Sequence, residues 1–197
     1  KGNYESLTGT SVYWDFVELP SQIFENWSYE KECLDLFAKH YETEEIIPSE
    51  LIQKIKNAAN FQQGYQTVRQ ISFGLLDMAY HGTDPSTISD IFSFEKEILK
   101  PTSLLPDVEG TLMSTSFSHI FQGGYAAGYY SYKWAEVLDA DAFELFLEKG
   151  IFDRETATSF KENILSAGGK EHPTVLYKRF RGRDPKPDAL LKRAGLV

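Results

Sequence analysis

The stretch Gly9-Thr10-Ser11-Val12-Tyr13-Trp14-Asp15-Phe16-Val17-Glu18-Leu19-Pro20-Ser21-Gln22 sets a carboxylate, Glu18, among aromatic and branched side chains. Burying an ionised carboxylate costs several kcal/mol unless a cation, a metal or a set of donors meets it. On a helix, Asp15, Glu18, Gln22 and Glu25 step by three, four and three and form one polar stripe. Phe16, Val17, Leu19, Ile23, Phe24 and Trp27 make the rest apolar. The segment is therefore expected to be buried with its stripe aimed at something polar. Pro20 removes a backbone donor and predicts a kink. The same spacing suits a surface helix whose polar side is wet, and residue types alone leave both readings open.

Working outward, the periodicity is mostly helical. Leu51, Ile55, Ala58 and Gln62 mark one helix face, and Tyr65, Val68, Ile71, Leu75 and Ala79 another, with a break at Gly64. Asp84-Pro85 reads as N-cap and first helical residue, followed by a buried face of Ile88, Ile91, Phe92 and Leu99. Asp153 is a second N-cap before Ala157, Phe160 and Ile164, and Gly168-Gly169 ends that helix. Short helices are expected at about 173–180 and 187–194. Strand alternation is scarce, with one short strand expected within 110–117. Residues 101–128 carry three glycines near their end, two prolines and a run of Ser and Thr, and predict a long ordered loop. The fold class is mainly α.

Composition excludes several functions. A length of 197 residues, 42% hydrophobic, suits one soluble domain with a real core. A net charge of −9 argues against nucleic acid as a partner, because phosphate binding needs clustered Lys and Arg. The one basic cluster, Lys178-Arg179-Phe180-Arg181-Gly182-Arg183, reads as a solvated helix end that complements the helix dipole. No apolar run is long enough to span a membrane. A single cysteine, Cys33, excludes an intrachain disulfide and fits a reducing, cytoplasmic compartment. The chain opens on Lys1 without an initiator Met, so a cut N-terminus is expected and the lack of a leader says little.

Four of the 11 tyrosines fall within residues 125–132, so the aromatic excess is local. They follow His119 in Ser118-His119-Ile120-Phe121-Gln122-Gly123-Gly124-Tyr125-Ala126-Ala127-Gly128-Tyr129-Tyr130-Ser131-Tyr132. Gly123 and Gly124 permit unusual backbone angles and close approach to a bound chain. With a helix starting near Ala126, Tyr129 and Tyr132 share a face and Tyr125 lies one turn earlier. A phenol can donate a hydrogen bond to a developing oxyanion while its ring packs on apolar neighbours. A tyrosine packing seam and a structural histidine are the plainer readings of the same residues.

Both stretches resemble one family. The words Gly9-Thr10-Ser11-Val12, Asp15-Phe16-Val17-Glu18 and Pro20-Ser21-Gln22, then Glu25-Asn26-Trp27, resemble the third zinc-ligand segment of the thimet oligopeptidase and peptidyl-dipeptidase family of zinc metallopeptidases. The His119 to Tyr132 stretch is similar to the same family's substrate loop, and its length before Tyr125 favours the bacterial peptidyl-dipeptidase branch. The tail Phe180-Arg181-Gly182-Arg183-Asp184-Pro185, through Ala189-Leu190-Leu191, resembles the family's C-terminal end, so the likeness covers nearly the whole chain.

The resemblance implies that residues 1–197 are a single C-terminal fragment of a zincin-like oligopeptidase catalytic domain. It implies Glu18 as a zinc ligand, with Asp15 or Glu25 supporting a zinc-bound histidine. His119, Gly123, Gly124, Tyr125, Tyr129 and Tyr132 would contact substrate. Tyr132 is the first choice for the transition-state donor, Tyr125 the second, and His119 the third catalytic residue. The partners implied are short peptides and the upstream remainder of the same polypeptide. The family's other zinc ligands come from an H-E-x-x-H helix, and no two of His40, His81, His119 and His172 are four apart. Zinc is therefore expected in the full-length enzyme and not in this chain alone, which is expected to be inactive in isolation. The competing reading is a non-catalytic helical peptide-binding or interaction module.

Overall fold

The computed structural model describes residues 3–197. Its α-helices are α1 (Leu19–Glu25), α2 (Lys31–Phe37), α3 (Ser49–Ala59), α4 (Gln63–Gly82), α5 (Ile91–Leu99), α6 (Ser118–Phe121), α7 (Ser131–Lys149), α8 (Arg154–Phe160), α9 (Pro173–Arg181) and α10 (Asp188–Arg193). The protein is mainly α, as the sequence predicts. Among the described residues, extended pairing is limited to one antiparallel bridge between Lys39 and Ile46. The strand expected within 110–117 is absent. Gly110, at φ +78°, turns the chain there, and Ser114–Ser116 form a 3-10 turn. The chain divides into two compact units, one made of Lys1–Gln63 with Trp134–Val197 and the other of Gly64–Lys133.

The first unit is built on aromatic packing. Phe16, Leu19 and Ile23 bury against Leu138, Phe143 and Phe146 of α7 and against Phe160, Ile164, Leu176 and Phe180. Trp27 meets Phe143 and Phe146 edge-on, at 4.7 and 4.9 Å between centroids, and its indole N–H donates to the Ile151 carbonyl at 3.0 Å. Each such edge contact is worth about 0.5–1.5 kcal/mol beyond burial. Gly168 and Gly169 end the segment after α8 as expected, and they also seat the N-terminal segment. A Cβ on Gly168 would lie 2.1 Å from the Leu7 carbonyl oxygen, and one on Gly169 2.3 Å from that of Ser11.

Two buried carboxylates on α7 hold this unit's helices together. Asp139 accepts from the Asn26 side chain at 2.9 Å and pairs with Arg193. Asp141 accepts from the Tyr177 hydroxyl at 2.7 Å and from Arg183 at 2.6 Å, with Arg181 3.6 Å away. The basic cluster is therefore not simply a solvated helix end. The Arg181 side chain is only 8% exposed, because a buried charge on α7 requires a cation.

The second unit has a smaller core, in which Leu76, Phe117 and Ile120 gather Phe73, Tyr80, Ile98, Leu99, Met113 and Tyr129. Its helix faces depart from the periodicity. On α4, the expected core stripe of Tyr65, Ile71 and Leu75 is exposed, while Ser72, Leu76 and Asp77 are buried. The helix is apolar on two sides, and Phe73, Leu76 and Tyr80 form the side that meets Phe117 and Ile120. Gly64 lies inside α4; the break falls at Asn60–Gln62, where Gln62 takes φ +56°. The first unit's α3 departs likewise, with Ile52 buried while Leu51 and Ile55 are exposed. Asp84 does cap Pro85, but over a 3-10 turn, Pro85–Thr87. The α5 helix starts later, capped by Asp90, and leaves Ile91 and Phe92 exposed.

Candidate active site

Glu18 is the residue before α1, at the helix N-cap, and it is half-buried. Its Oε2 accepts from the Ser21 hydroxyl at 2.7 Å. Pro20 occupies the first turn of α1, where its missing N–H has no intrahelical partner to lose, so it starts the helix and does not kink it. The polar stripe is accordingly not one continuous helix face. Asp15 sits half-buried in the 3-10 turn Trp14–Phe16, Gln22 lies within α1, and Glu25 is exposed at its last residue. Phe24, expected inside, is 53% exposed. A half-buried carboxylate at the head of a short helix suits one metal-ligand position. Among the described residues, however, no three His, Cys, Asp or Glu side chains gather. A zinc site needs about three protein ligands, so the residues present do not complete one.

The second constellation lies in residues 117–132. The short α6 carries His119, and the chain then turns through Gly123 and Gly124. A Cβ on Gly123 would meet the His119 Cα at 2.8 Å, and Gly124 has φ +84°. Both glycines are thus required by the turn itself. The Tyr125 N–H donates to the His119 carbonyl at 3.1 Å, closing that turn. Helix α7 begins at Ser131, later than the expected start near Ala126. The intervening residues form a tight turn with Ala127 at φ +52°, a left-handed conformation costing an L-residue about 1–2 kcal/mol.

That turn, rather than one helix face, brings the predicted residues together. Tyr125 and Tyr132 stack with centroids 4.9 Å apart, and Tyr129 lies 5.2 Å from Tyr132. The His119 ring is 6.0 Å from both Tyr125 and Tyr129. Phe73 and Phe117 pack edge-on against Tyr129 from the core side. Burial raises the Tyr129 phenol above its ordinary value; the neighbouring Tyr132 adds to the shift and Arg69 opposes it. Tyr129 therefore stays a neutral hydrogen-bond donor well into the alkaline range.

Two buried residues of this unit escaped the sequence reading. Asp77 is fully buried on α4; its Oδ1 accepts from the Ala127 N–H and its Oδ2 from the Tyr129 N–H, both at 2.9 Å. Its Oδ1 also lies 2.8 Å from His81 Nδ1. Glu95 of α5 accepts from the Met113 and Ser114 amides, each at 3.0 Å, and from the Tyr80 hydroxyl at 2.7 Å. The available signal was an acidic residue inside an apolar helix, as in Leu75-Leu76-Asp77-Met78-Ala79, with His81 one turn on. The remaining histidines accept hydrogen bonds locally, and the His172 ring also packs 4.9 Å from that of Tyr13. His40 Nδ1 accepts from the Glu42 and Thr43 amides, and His172 caps α9 by accepting from Thr174.

The model of Peptidase family M3 matches residues 1–196, and the chain belongs to that family of zinc metallopeptidases. It is 50% identical over 188 residues to Oligopeptidase A of Escherichia coli (strain K12), covering 95% of this chain and 28% of that protein. It is 40% identical over 195 residues to Dipeptidyl carboxypeptidase of the same organism, covering 98% and 29%. Thimet-like oligopeptidase of Dictyostelium discoideum is 33% identical over 198 residues, covering 100% and 29%. The chain thus spans under a third of the length of these relatives. The loop length that favours the dipeptidase branch stands against a higher overall identity to Oligopeptidase A.

Proposed function

We propose that this chain is the C-terminal part of the catalytic domain of a zinc-dependent oligopeptidase acting on short peptides. In this reading it supplies one zinc ligand, Glu18, and the loop that binds substrate and its transition state. The other protein ligands come from an H-E-x-x-H helix outside these 197 residues. The observation that carries the reading is the gathering of His119, Tyr125, Tyr129 and Tyr132 on one turn.

Zinc, when bound, supplies a Lewis acid that polarises the peptide carbonyl and acidifies water. The residues of this chain do the rest. The Tyr132 hydroxyl donates to the carbonyl oxygen as it gains negative charge, an interaction stronger in the transition state than with bound peptide. Tyr125, stacked on Tyr132, limits its rotation and serves as second donor. His119 and Tyr129 orient the substrate backbone, and the peptide groups of Gly123 and Gly124 face it. Asp15, half-buried in the turn before Glu18, supports a zinc-bound histidine better than the exposed Glu25 does. The identity to Oligopeptidase A supports oligopeptide cleavage, and the loop length supports release of C-terminal dipeptides.

The test is Tyr132→Phe in a polypeptide that carries this chain together with its H-E-x-x-H helix. The expected result is a drop in kcat of about 10²-fold with KM nearly unchanged. An unchanged kcat removes Tyr132 from the role. Product analysis in the same assay separates dipeptide release from other cleavage.

A further inference from the structure

The phenol cluster depends on a strained turn that is closed by a bond of its own, from the Gly128 N–H to the Tyr125 carbonyl at 2.8 Å. Ala127 has a left-handed backbone at φ +52°, where a glycine would be at ease and an L-residue is strained. The Ala127 and Tyr129 amides of the turn are met from outside it. Asp77 is fully buried, and each of its carboxylate oxygens accepts one amide of that turn, from Ala127 and from Tyr129. Charge-assisted hydrogen bonds of this kind are stronger and shorter than neutral ones. Gripping residues 127 and 129 fixes the chain between Tyr125 and Tyr132, and so fixes the offset at which their rings stack. Among the described residues, the nearest group of basic type at the carboxylate is His81, whose Nδ1 is 2.8 Å from Oδ1.

We propose that Asp77 is a positioning residue for peptide hydrolysis: through the Ala127 and Tyr129 amides it holds the Tyr125 and Tyr132 hydroxyls where the substrate carbonyl oxygen is met. This rests on the reading of that turn as catalytic. Asp77 touches no substrate and acts only through the backbone it holds. Displacing a donor by about 1 Å suffices to cost on the order of 10²-fold in rate.

The experiment compares Asp77→Asn with Glu95→Gln in the polypeptide that includes the H-E-x-x-H helix. Both replace a buried carboxylate that accepts backbone amides of the same unit, and both are expected to lower Tm. Asp77→Asn turns an amino group toward one of the two amides and loosens the turn. It is expected to lower kcat by roughly tenfold to a hundredfold with KM within about threefold. Hydrogen exchange at the Ala127 and Tyr129 amides is expected to quicken in step. Glu95→Gln is expected to leave kcat within about twofold. Should Asp77→Asn fail to fold, Asp77→Glu keeps both acceptor oxygens but shifts them by one methylene, and the same loss of kcat is expected. The proposal is overturned by an unchanged kcat in the folded Asp77 variant. It is also overturned by a loss no larger than that of Glu95→Gln at equal Tm, or by failure of both Asp77 variants to fold. If Tyr132→Phe lowers kcat while Asp77→Asn does not, only this proposal fails. If Tyr132→Phe does nothing, the reading of the turn fails.

Discussion

The two units bury carboxylates in opposite ways. In the unit formed by Lys1–Gln63 and Trp134–Val197, Asp139 and Asp141 meet arginine side chains, and the contacts join helices far apart in sequence. In the unit Gly64–Lys133, Asp77 and Glu95 accept mainly from backbone amides, and the contacts shape loops. A carboxylate paired with arginine fixes how helices pack. A carboxylate paired with peptide N–H groups fixes the path of a chain that no regular hydrogen-bond ladder holds. Of the residues proposed to act on substrate, Tyr125 and Tyr129 lie on a loop of the second kind, with His119 on α6 before it and Tyr132 in the first turn of α7 after it, as expected where a site needs an unusual backbone held rigidly.

The sharpest way to break this contrast is Asp141→Ala. The buried Tyr177 hydroxyl and Arg183 would lose their carboxylate partner, while Arg181 keeps Glu144 and Glu148, and the expected cost is about 1–3 kcal/mol, read by urea unfolding. A cost below about 1 kcal/mol would make the pairing an ordinary surface contact. A smaller effect should appear at high pH in the other unit. Burial, with the charge and hydrogen bond of Glu95, raises Tyr80 to about 12, although a hydrogen bond with Ser114 opposes the shift. A group whose folded value lies above its unfolded value of about 10 contributes stability fully below pH 10. That contribution is lost as pH rises toward 12. Tyr80→Phe should flatten the stability profile between these limits, and an unaltered slope would remove Tyr80 as its source.

The sequence was legible where local chemistry decides the structure. Asp153 caps α8 by accepting from the Thr156 amide, and α9 and α10 fall where expected. The proximity of the His119, Tyr125, Tyr129 and Tyr132 rings was legible, because tyrosines clustered beside glycines are an unusual local excess. Long-range pairing was not legible. Nothing in the local pattern tells that Asp77 meets Ala127, fifty residues on, or that Arg183 meets Asp141. Helix faces were misjudged for a related reason. The second side of α4 packs only because Phe117 and Ile120 arrive from a distant loop. The α5 start was missed because Asp84-Pro85 and Asp90 are both good caps, and the former takes a 3-10 turn.

Zinc titration tests the proposed role of Glu18 as a zinc ligand most directly. In the polypeptide carrying the H-E-x-x-H helix, Glu18→Gln should weaken zinc affinity by far more than tenfold, since one of about three protein ligands is lost. Asp15→Asn, acting through a neighbouring ligand, should weaken it by about 10–100-fold. Tight binding of one zinc per chain by Glu18→Gln, at unmodified affinity, would contradict the assignment.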